Sequence, residues 1–177
     1  MSLITKAANF AKKAHASINQ KRKYTGEPYE VHPARVAQIV ATVSDDEEMI
    51  AAAWLHDVLE DVAPYLSDFN DQAILREFGP AVLQLVLELT EVSKEGQGNR
   101  KQRKLLDRLR LSQASKRAKT VKLADLIDNI SDLSENDPSF AIVFREEVKK
   151  MLPYLATGSQ QLYQQLKCLL NNKNISS

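Results

Sequence analysis

His56 and Asp57 stand together at the end of an apolar run, and Glu60 and Asp61 follow three and four residues after Asp57. If the helix continues, His56 lies one turn beneath Glu60 and Asp57 one turn beneath Asp61. Acids at a helix end are ordinarily just wet. Here Ala51-Ala52-Ala53-Trp54-Leu55 comes directly before them, which argues for polar groups gathered in a cleft. A buried carboxylate beside a histidine is costly unless it is paired or bound to a metal. A second group, Lys122, Asp125, Asp128, Asn129 and Asp132, shares one helix face, with Leu123, Leu126, Ile127, Ile130 and Leu133 on the other. An ordinary solvated face accounts for Asp128 and Asp132. Asp125 and Asn129, one turn apart beside the apolar boundary, are the candidates for chemistry. His32 is placed by Pro33 at a helix entrance, and alone such a histidine reads as structural. His15 reads as the polar edge of the first helix. Together, His32, His56, Asp57 and Asp125 would make a two-imidazole, two-carboxylate site for one divalent ion. A nitrogen and oxygen donor set without thiolate suits Mn²⁺, Fe²⁺, Co²⁺ or Zn²⁺. An octahedral ion such as Mn²⁺ keeps room for a water, which a divalent ion can turn into a nucleophile near neutral pH.

The elements that must carry these residues are helical. Leu3, Ala7, Phe10, Ala11, Ala14 and Ile18 form one stripe. Gln20 to Val31, with Lys21-Arg22-Lys23 and Thr25-Gly26-Glu27-Pro28, reads as a loop. Pro33 suits the first position of a second helix. Ser44 with Glu47 matches a capping box, opening an apolar and therefore central helix from Met49 through Leu59. Ala73 to Phe78 is a short helix stopped by Gly79, and Pro80 opens the next. A loop over residues 95–99 precedes a basic helix, Arg100 to Leu111. Further helices are expected over Lys116 to Leu133, Phe140 to Leu155 (broken or ended by Pro153) and Ser159 to Leu170, before a frayed polar tail. The fold class is all-α, one domain over 1–177, with a motif core over about 3–135, C-terminal helices over 139–171 and a tail over 172–177.

Composition narrows the function classes. At 177 residues with a formal net charge of +1, the chain is no general polyanion binder, so phosphate affinity needs a local cluster. One cysteine excludes a disulfide framework and a Cys-rich zinc module. No apolar run approaches the roughly 20 residues of a membrane span, and the N-terminus lacks a signal-peptide pattern; the expected compartment is the cytoplasm. The basic helix, interleaved with Leu105, Leu106 and Leu109, reads as a solvated amphipathic face without a base-reading motif. Neither nucleic acid nor membrane is therefore an expected partner.

Arg22-Lys23, Gly26-Glu27-Pro28-Tyr29, His32-Pro33, His56-Asp57-Val58-Leu59-Glu60-Asp61, and Val121-Lys122-Leu123-Ala124-Asp125 with Asn129 carry a resemblance in order and spacing. The chain resembles HD-domain hydrolases, and within them the hydrolase domain of RelA/SpoT proteins and the small alarmone hydrolases of the Mesh1 type. The resemblance implies a helical HD-domain bundle and Mn²⁺ held by His32, His56, Asp57 and Asp125. It implies Glu60 and Asp61 as the catalytic acidic pair. Arg22 and Lys23 would meet the guanine nucleotide and its phosphates, and Asn129 its sugar region. The implied reaction removes the 3′-diphosphate of ppGpp or pppGpp, giving GDP or GTP and pyrophosphate. No synthetase-sized segment follows the motifs, so a bifunctional enzyme is not expected.

Two departures bear on specificity. Leu126 follows Asp125, and Ser131 follows Asn129 by two, where relatives often carry basic residues. They leave open an HD phosphohydrolase acting on another nucleotide or a 3′-phosphorylated cofactor. A non-catalytic alarmone-binding module ranks lower, because none of the motif residues is lost. Tyr24 and Tyr29 are candidates either to stack on a base or to pack the loop.

Overall fold

The computed structural model describes residues 1–93, 96 and 98–171. The expected loop over 95–99 is thus described only at Gly96, Gly98 and Asn99, and the expected tail over 172–177 lies outside the described residues. Among those described, eight α-helices are joined by short 3-10 and π segments, and the nearest approach to sheet is an isolated bridge between Lys21 and Pro28.

Helix α1, Leu3–Ser17, starts at Ser2, whose side chain accepts from the Thr5 N–H. Ala7, Ala11 and Ala14 are fully buried along it, facing α3, Glu47–Leu55, which buries Ala51, Ala52 and Ala53. Alanines on both sides let the two axes approach closely, which makes α3 the centre of the bundle. Helix α3 is capped by Asp46, which accepts from the Met49 N–H, rather than by Ser44. Ser44 Oγ instead accepts from the Asp46 N–H. Asp46 has the extended backbone an N-cap needs (φ −67°, ψ 102°), and Arg117 pairs with both Asp46 and Glu48. The expected start is thus displaced by two residues.

Helix α2, Val31–Ala41, starts two residues before Pro33, so His32 sits in its first turn rather than at its door. Helix α4, Asp71–Leu89, is broken as expected at Gly79 (φ 83°, ψ 173°) with Pro80 restarting it. Helix α5, Arg100–Ser112, opens with a capping box of Asn99 and Gln102. The long α6, Lys116–Asn136, packs against α2, α3, α4, α7 and α8. Helix α7, Pro138–Met151, passes at Pro153 into a 3-10 turn, Leu152–Leu155, and α8, Gln160–Asn171, closes the core with Leu162, Leu166 and Leu170. Among the described residues no helix is long and apolar enough to cross a membrane.

Gly79, between the two halves of α4, is a position where the backbone itself disfavours a side chain. Its φ of +83° with ψ near 173° is a region that essentially only glycine occupies. Nothing lies within 4 Å of where a Cβ would stand, so the penalty is backbone strain without a clash. Gly79→Ala is expected to lose about 1–3 kcal/mol of stability, read as a lower urea midpoint at unchanged slope; an unchanged midpoint would contradict the assignment.

Candidate metal centre and cleft

Three helices deliver the candidate ligands. The first turn of α2 presents His32, the C-terminus of α3 presents His56 and then Asp57, and the middle of α6 presents Asp125. One donor atom each from His32, His56 and Asp57 lies within 4.8 Å of the other two. Asp125 joins through the imidazoles, its Oδ1 being 3.2 Å from His32 Nε2 and 3.8 Å from His56 Nε2. Asp57 Oδ2 lies 3.2 Å from His56 Nε2 and 3.6 Å from His32 Nε2. All four predicted ligands are therefore brought together.

The far side of each ring sets its tautomer. His56 Nδ1 donates to the Ala53 carbonyl at 2.8 Å, and His32 Nδ1 donates to Asp128 Oδ2 at 2.7 Å. With Nδ1 occupied, each neutral ring turns a bare Nε2 lone pair into the cluster. His56 Nε2 is buried and has no hydrogen-bond partner among the described residues. An orphaned imidazole nitrogen facing two carboxylates, with its other nitrogen anchored, is the arrangement of a metal-ligating histidine, and the donor set fits a divalent cation.

Asp128 and Asp132 are not a solvated face, contrary to expectation. Asp128 is buried and orients His32. Asp132 takes Arg22 at 2.6 Å, and Arg22 lies 4.0 Å from Asp128. Helical spacing shows that these acids share a face; it cannot show that the 20–31 loop and α2 cover that face. The site therefore gathers four carboxylates, Asp57, Asp125, Asp128 and Asp132. Two permanent cations, Arg22 and Lys122, face them, and Lys122 Nζ is 2.8 Å from Asp125 Oδ2.

Protonation follows from this imbalance. Burial opposes charge on His56 and His32, but the facing carboxylates outweigh it and raise both imidazoles above their ordinary value, His56 strongly. Burial likewise opposes the Asp125 carboxylate, but Lys122 and the two imidazoles hold it well below the usual range. Lys122 is kept charged, Asp125 outweighing the burial that would discharge it.

The acidic pair is split. The chain leaves the α-helix after Leu55 and passes through a π turn, Val58–Val62, yet the Asp61 N–H still donates to the Asp57 carbonyl at 2.8 Å, one turn back. Glu60 lines the cleft above the cluster and accepts from the Glu91 N–H at 3.2 Å. Glu60 is an exposed residue at the cleft; partial desolvation there, with Glu91 and Asp57 nearby, raises its carboxyl to about 7. Asp61 points the other way, to Gln20 Nε2 at 2.8 Å. His15 is not a polar edge: it is fully buried beside Gln20 and Tyr29.

The cleft over the cluster encloses about 880 Å³ of empty space including its mouth. Its opposite wall is basic: Arg100, Lys104 and Arg108 stand at successive turns of α5 and line it. The expectation of a solvated face for this helix missed Lys104 and Arg108, although the four-residue spacing was the available signal. Lys104 pairs with Glu91 at 2.5 Å, and Arg100 grips Glu147 with two bonds of 2.8 and 2.9 Å. Leu105, Leu106 and Leu109 are exposed. Asn129 lines the cleft and donates to Asp125 Oδ1 at 2.6 Å. Arg22 and Lys23 border an adjoining recess with Tyr24, Phe140 and Phe144; Tyr29, Arg100, Asn129 and Phe144 belong to both. Tyr29 donates to Asp57 Oδ2 at 2.7 Å.

Metal content separates these roles. His56→Ala and Asp57→Ala are expected to lose a bound divalent ion, whereas Glu60→Ala retains it. Asp128→Asn, which weakens the anchor behind His32, should lower metal affinity about 10–100-fold. A Glu60→Ala protein that came out metal-free, or an Asp128→Asn protein with unchanged affinity, would contradict the assignment.

Residues 7–157 match the HD domain family. A guanosine-3′,5′-bis(diphosphate) 3′-pyrophosphohydrolase of Aquifex aeolicus is 36% identical over 149 residues, covering 84% of this chain and 19% of its own length. The enzyme of that name designated MESH1 in Drosophila melanogaster is 37% identical, with 68% of this chain and 64% of the relative covered. The chain thus spans about a fifth of the Aquifex relative and just under two thirds of the Drosophila one. A solved structure of a metazoan ortholog of SpoT that hydrolyzes ppGpp superposes with a TM-score of 0.84 at 28% identity, covering 99% of this chain and 98% of that one. With the family matched over most of its length and the paired histidines and aspartates in place, this chain is a member of the HD domain family.

Proposed function

We propose that the chain hydrolyses the 3′-diphosphate of ppGpp or pppGpp, releasing pyrophosphate and GDP or GTP, with Mn²⁺ as the resident ion. One observation carries this reading: the cluster of His32, His56, Asp57 and Asp125, with Glu60, faces three cations across one cleft, which continues into an aromatic recess. That layout fits a substrate with phosphates at one end and a flat base at the other. The names of the relatives support it.

An ion held by His32, His56, Asp57 and Asp125 would draw charge from a phosphate oxygen and make a water acidic enough to react. The protein's own groups do the rest. Glu60, poised near neutrality, takes the proton of the attacking water, since a base works best with a pKa near the working pH. Asp61, the other member of the implied acidic pair, supports that end of the site from behind. Lys104, Arg108 and Arg100 bind the phosphate oxygens, and charged hydrogen bonds of this kind gain strength in a walled cleft. Asn129, already fixed to Asp125, offers its amide near the sugar. Lys23 and the rings of Tyr24, Phe140 and Phe144 receive the base, with Arg22 held beneath them by Asp132.

A second reading rests on Leu126 and Ser131. Leu126 gives the cleft an apolar wall, and Ser131 spends its hydroxyl on the Ile127 carbonyl. Neither offers the positive charge common at these positions, which favours a looser pocket that also admits another 3′-phosphorylated nucleotide.

Purified protein with Mn²⁺ is expected to convert ppGpp to GDP and pyrophosphate, with the reaction abolished by chelator. A metal-loaded protein that leaves ppGpp intact but cleaves another 3′-phosphorylated nucleotide would favour the second reading. The Glu60 carboxyl titrates above its ordinary value, so as a base it gains a proton, and the rate falls, as pH drops through about 7. Glu60→Gln should lower kcat by about 10²–10⁴-fold and remove that limb from the pH profile while keeping the metal. An unaltered profile in this variant would exclude Glu60 as the base.

A further inference from the structure

His15 has no part in the reaction just described, although it is wholly buried close to the metal centre. Its Nδ1 lies 2.7 Å from Gln20 Oε1, and Gln20 Nε2 lies 2.8 Å from Asp61 Oδ2. Chemistry fixes the direction of this chain. A carboxylate only accepts, so Gln20 must turn its NH₂ to Asp61 and its oxygen to His15. His15 must then carry its proton on Nδ1. Burial lowers the His15 pKa and keeps the ring neutral, which leaves Nε2 as a bare lone pair, and that atom is buried without a hydrogen-bond partner among the described residues. An unconstrained neutral histidine side chain in water prefers the opposite tautomer, with the proton on Nε2. The site therefore imposes the less common form.

The backbone is built to hold this arrangement. Asn19 takes a left-handed φ of 51° at the end of α1, which turns the chain back so that Gln20 meets His15. The Gln20 N–H donates to the His15 carbonyl at 3.0 Å, and the Gln20 carbonyl accepts from the Tyr29 N–H at 3.2 Å. The His15 ring packs against the Tyr29 ring, with centroids 4.7 Å apart, and Tyr29 donates to Asp57. Two arms thus run from His15, one through Gln20 to Asp61 and one through Tyr29 to Asp57. Asp61 needs such a tether. It sits on the π turn, where burial and the Asp57 charge both disfavour its carboxylate and the Gln20 hydrogen bond opposes them.

We propose that His15 and Gln20 are positioning residues, in which the Nδ1–H tautomer of His15 fixes the Gln20 amide and that amide holds the Asp61 carboxylate in one rotamer behind the metal centre. The catalytic consequence rests on the function proposed above; the tautomer does not. Helix α1, none of whose residues lines the cleft, then contributes to the geometry of the reaction. Small displacements matter here, because groups held about 1 Å out of place can cost about a hundredfold in rate.

The direct test is ¹⁵N-resolved NMR of the histidine side chains at neutral pH. The expected result is a neutral His15 with the proton on Nδ1, switching to Nε2 in Gln20→Leu. A charged ring, or the Nε2–H form in the parent protein, would overturn the relay. In the assay with ppGpp, Gln20→Leu is expected to lower kcat about 10–100-fold with KM and metal content unchanged; an unchanged kcat would overturn the positioning role. His15→Gln, which can still donate an amide N–H to Gln20, should retain most of the kcat that His15→Phe loses. Equal losses in the two variants would also count against it. A parent protein inactive towards ppGpp would overturn the proposed reaction, and the relay would then stand or fall on the tautomer.

Discussion

The constraint on which the structure depends is an excess of negative charge held between three helices. Asp57, Asp125, Asp128 and Asp132 converge where α2, the end of α3 and α6 meet, and among the described residues only Arg22 and Lys122 answer them as permanent cations. The remaining two negative charges must be neutralised, because uncompensated charge in a poorly solvated site costs several kcal/mol. Two protons on the imidazoles can do it, and the raised values of His32 and His56 show the protein prepared to take them. One divalent cation does the same while leaving both rings neutral. The alanine-rich contact of α1 with α3 and the burial of α6 make the frame stiff enough that the donors do not spread to relieve their own repulsion.

The rest of the cleft completes this electrostatic design. A net charge of +1 hides two opposed surfaces. The acidic cluster attracts a cation, and across the cleft α5 holds Arg100, Lys104 and Arg108. Glu91 and Glu147 occupy Lys104 and Arg100 with direct ion pairs, so the wall is not left with unbalanced positive charge. In the proposed reaction an incoming phosphate would exchange for these carboxylates and meet positive charge from both sides. Lys122 and Asp125 tie the cluster to this wall, since Lys122 lines the same cleft.

The helices and the candidate ligands His56 and Asp57 were legible in the sequence because they rest on local signals. Gly79-Pro80 marks a break that the φ of Gly79 realises, and His56-Asp57 announces itself by following five apolar residues. What was not legible depends on contacts between distant segments. Asp128 and Asp132 look solvated until His32 and Arg22, about a hundred residues away, cover them. His15 looks like a helix edge until the 20–31 loop folds over it. The π turn after Asp57 carries no sequence mark, nor do the separate destinations of Glu60, in the cleft, and Asp61, on Gln20. The choice of Asp46 over Ser44 as a cap was settled by Arg117 on α6, a partner that no window around the helix start contains.

The central claim is that one divalent cation replaces imidazole protons in balancing the cluster. Calorimetric titration of the metal-free protein with Mn²⁺ near neutral pH, repeated in two buffers of different ionisation enthalpy, measures this directly, since metal binding to protonated ligands releases protons. The account predicts saturable binding of one ion with release of about one to two protons. Saturable binding without proton release, or no binding at all, would show that the four carboxylates are balanced in another way and would contradict it.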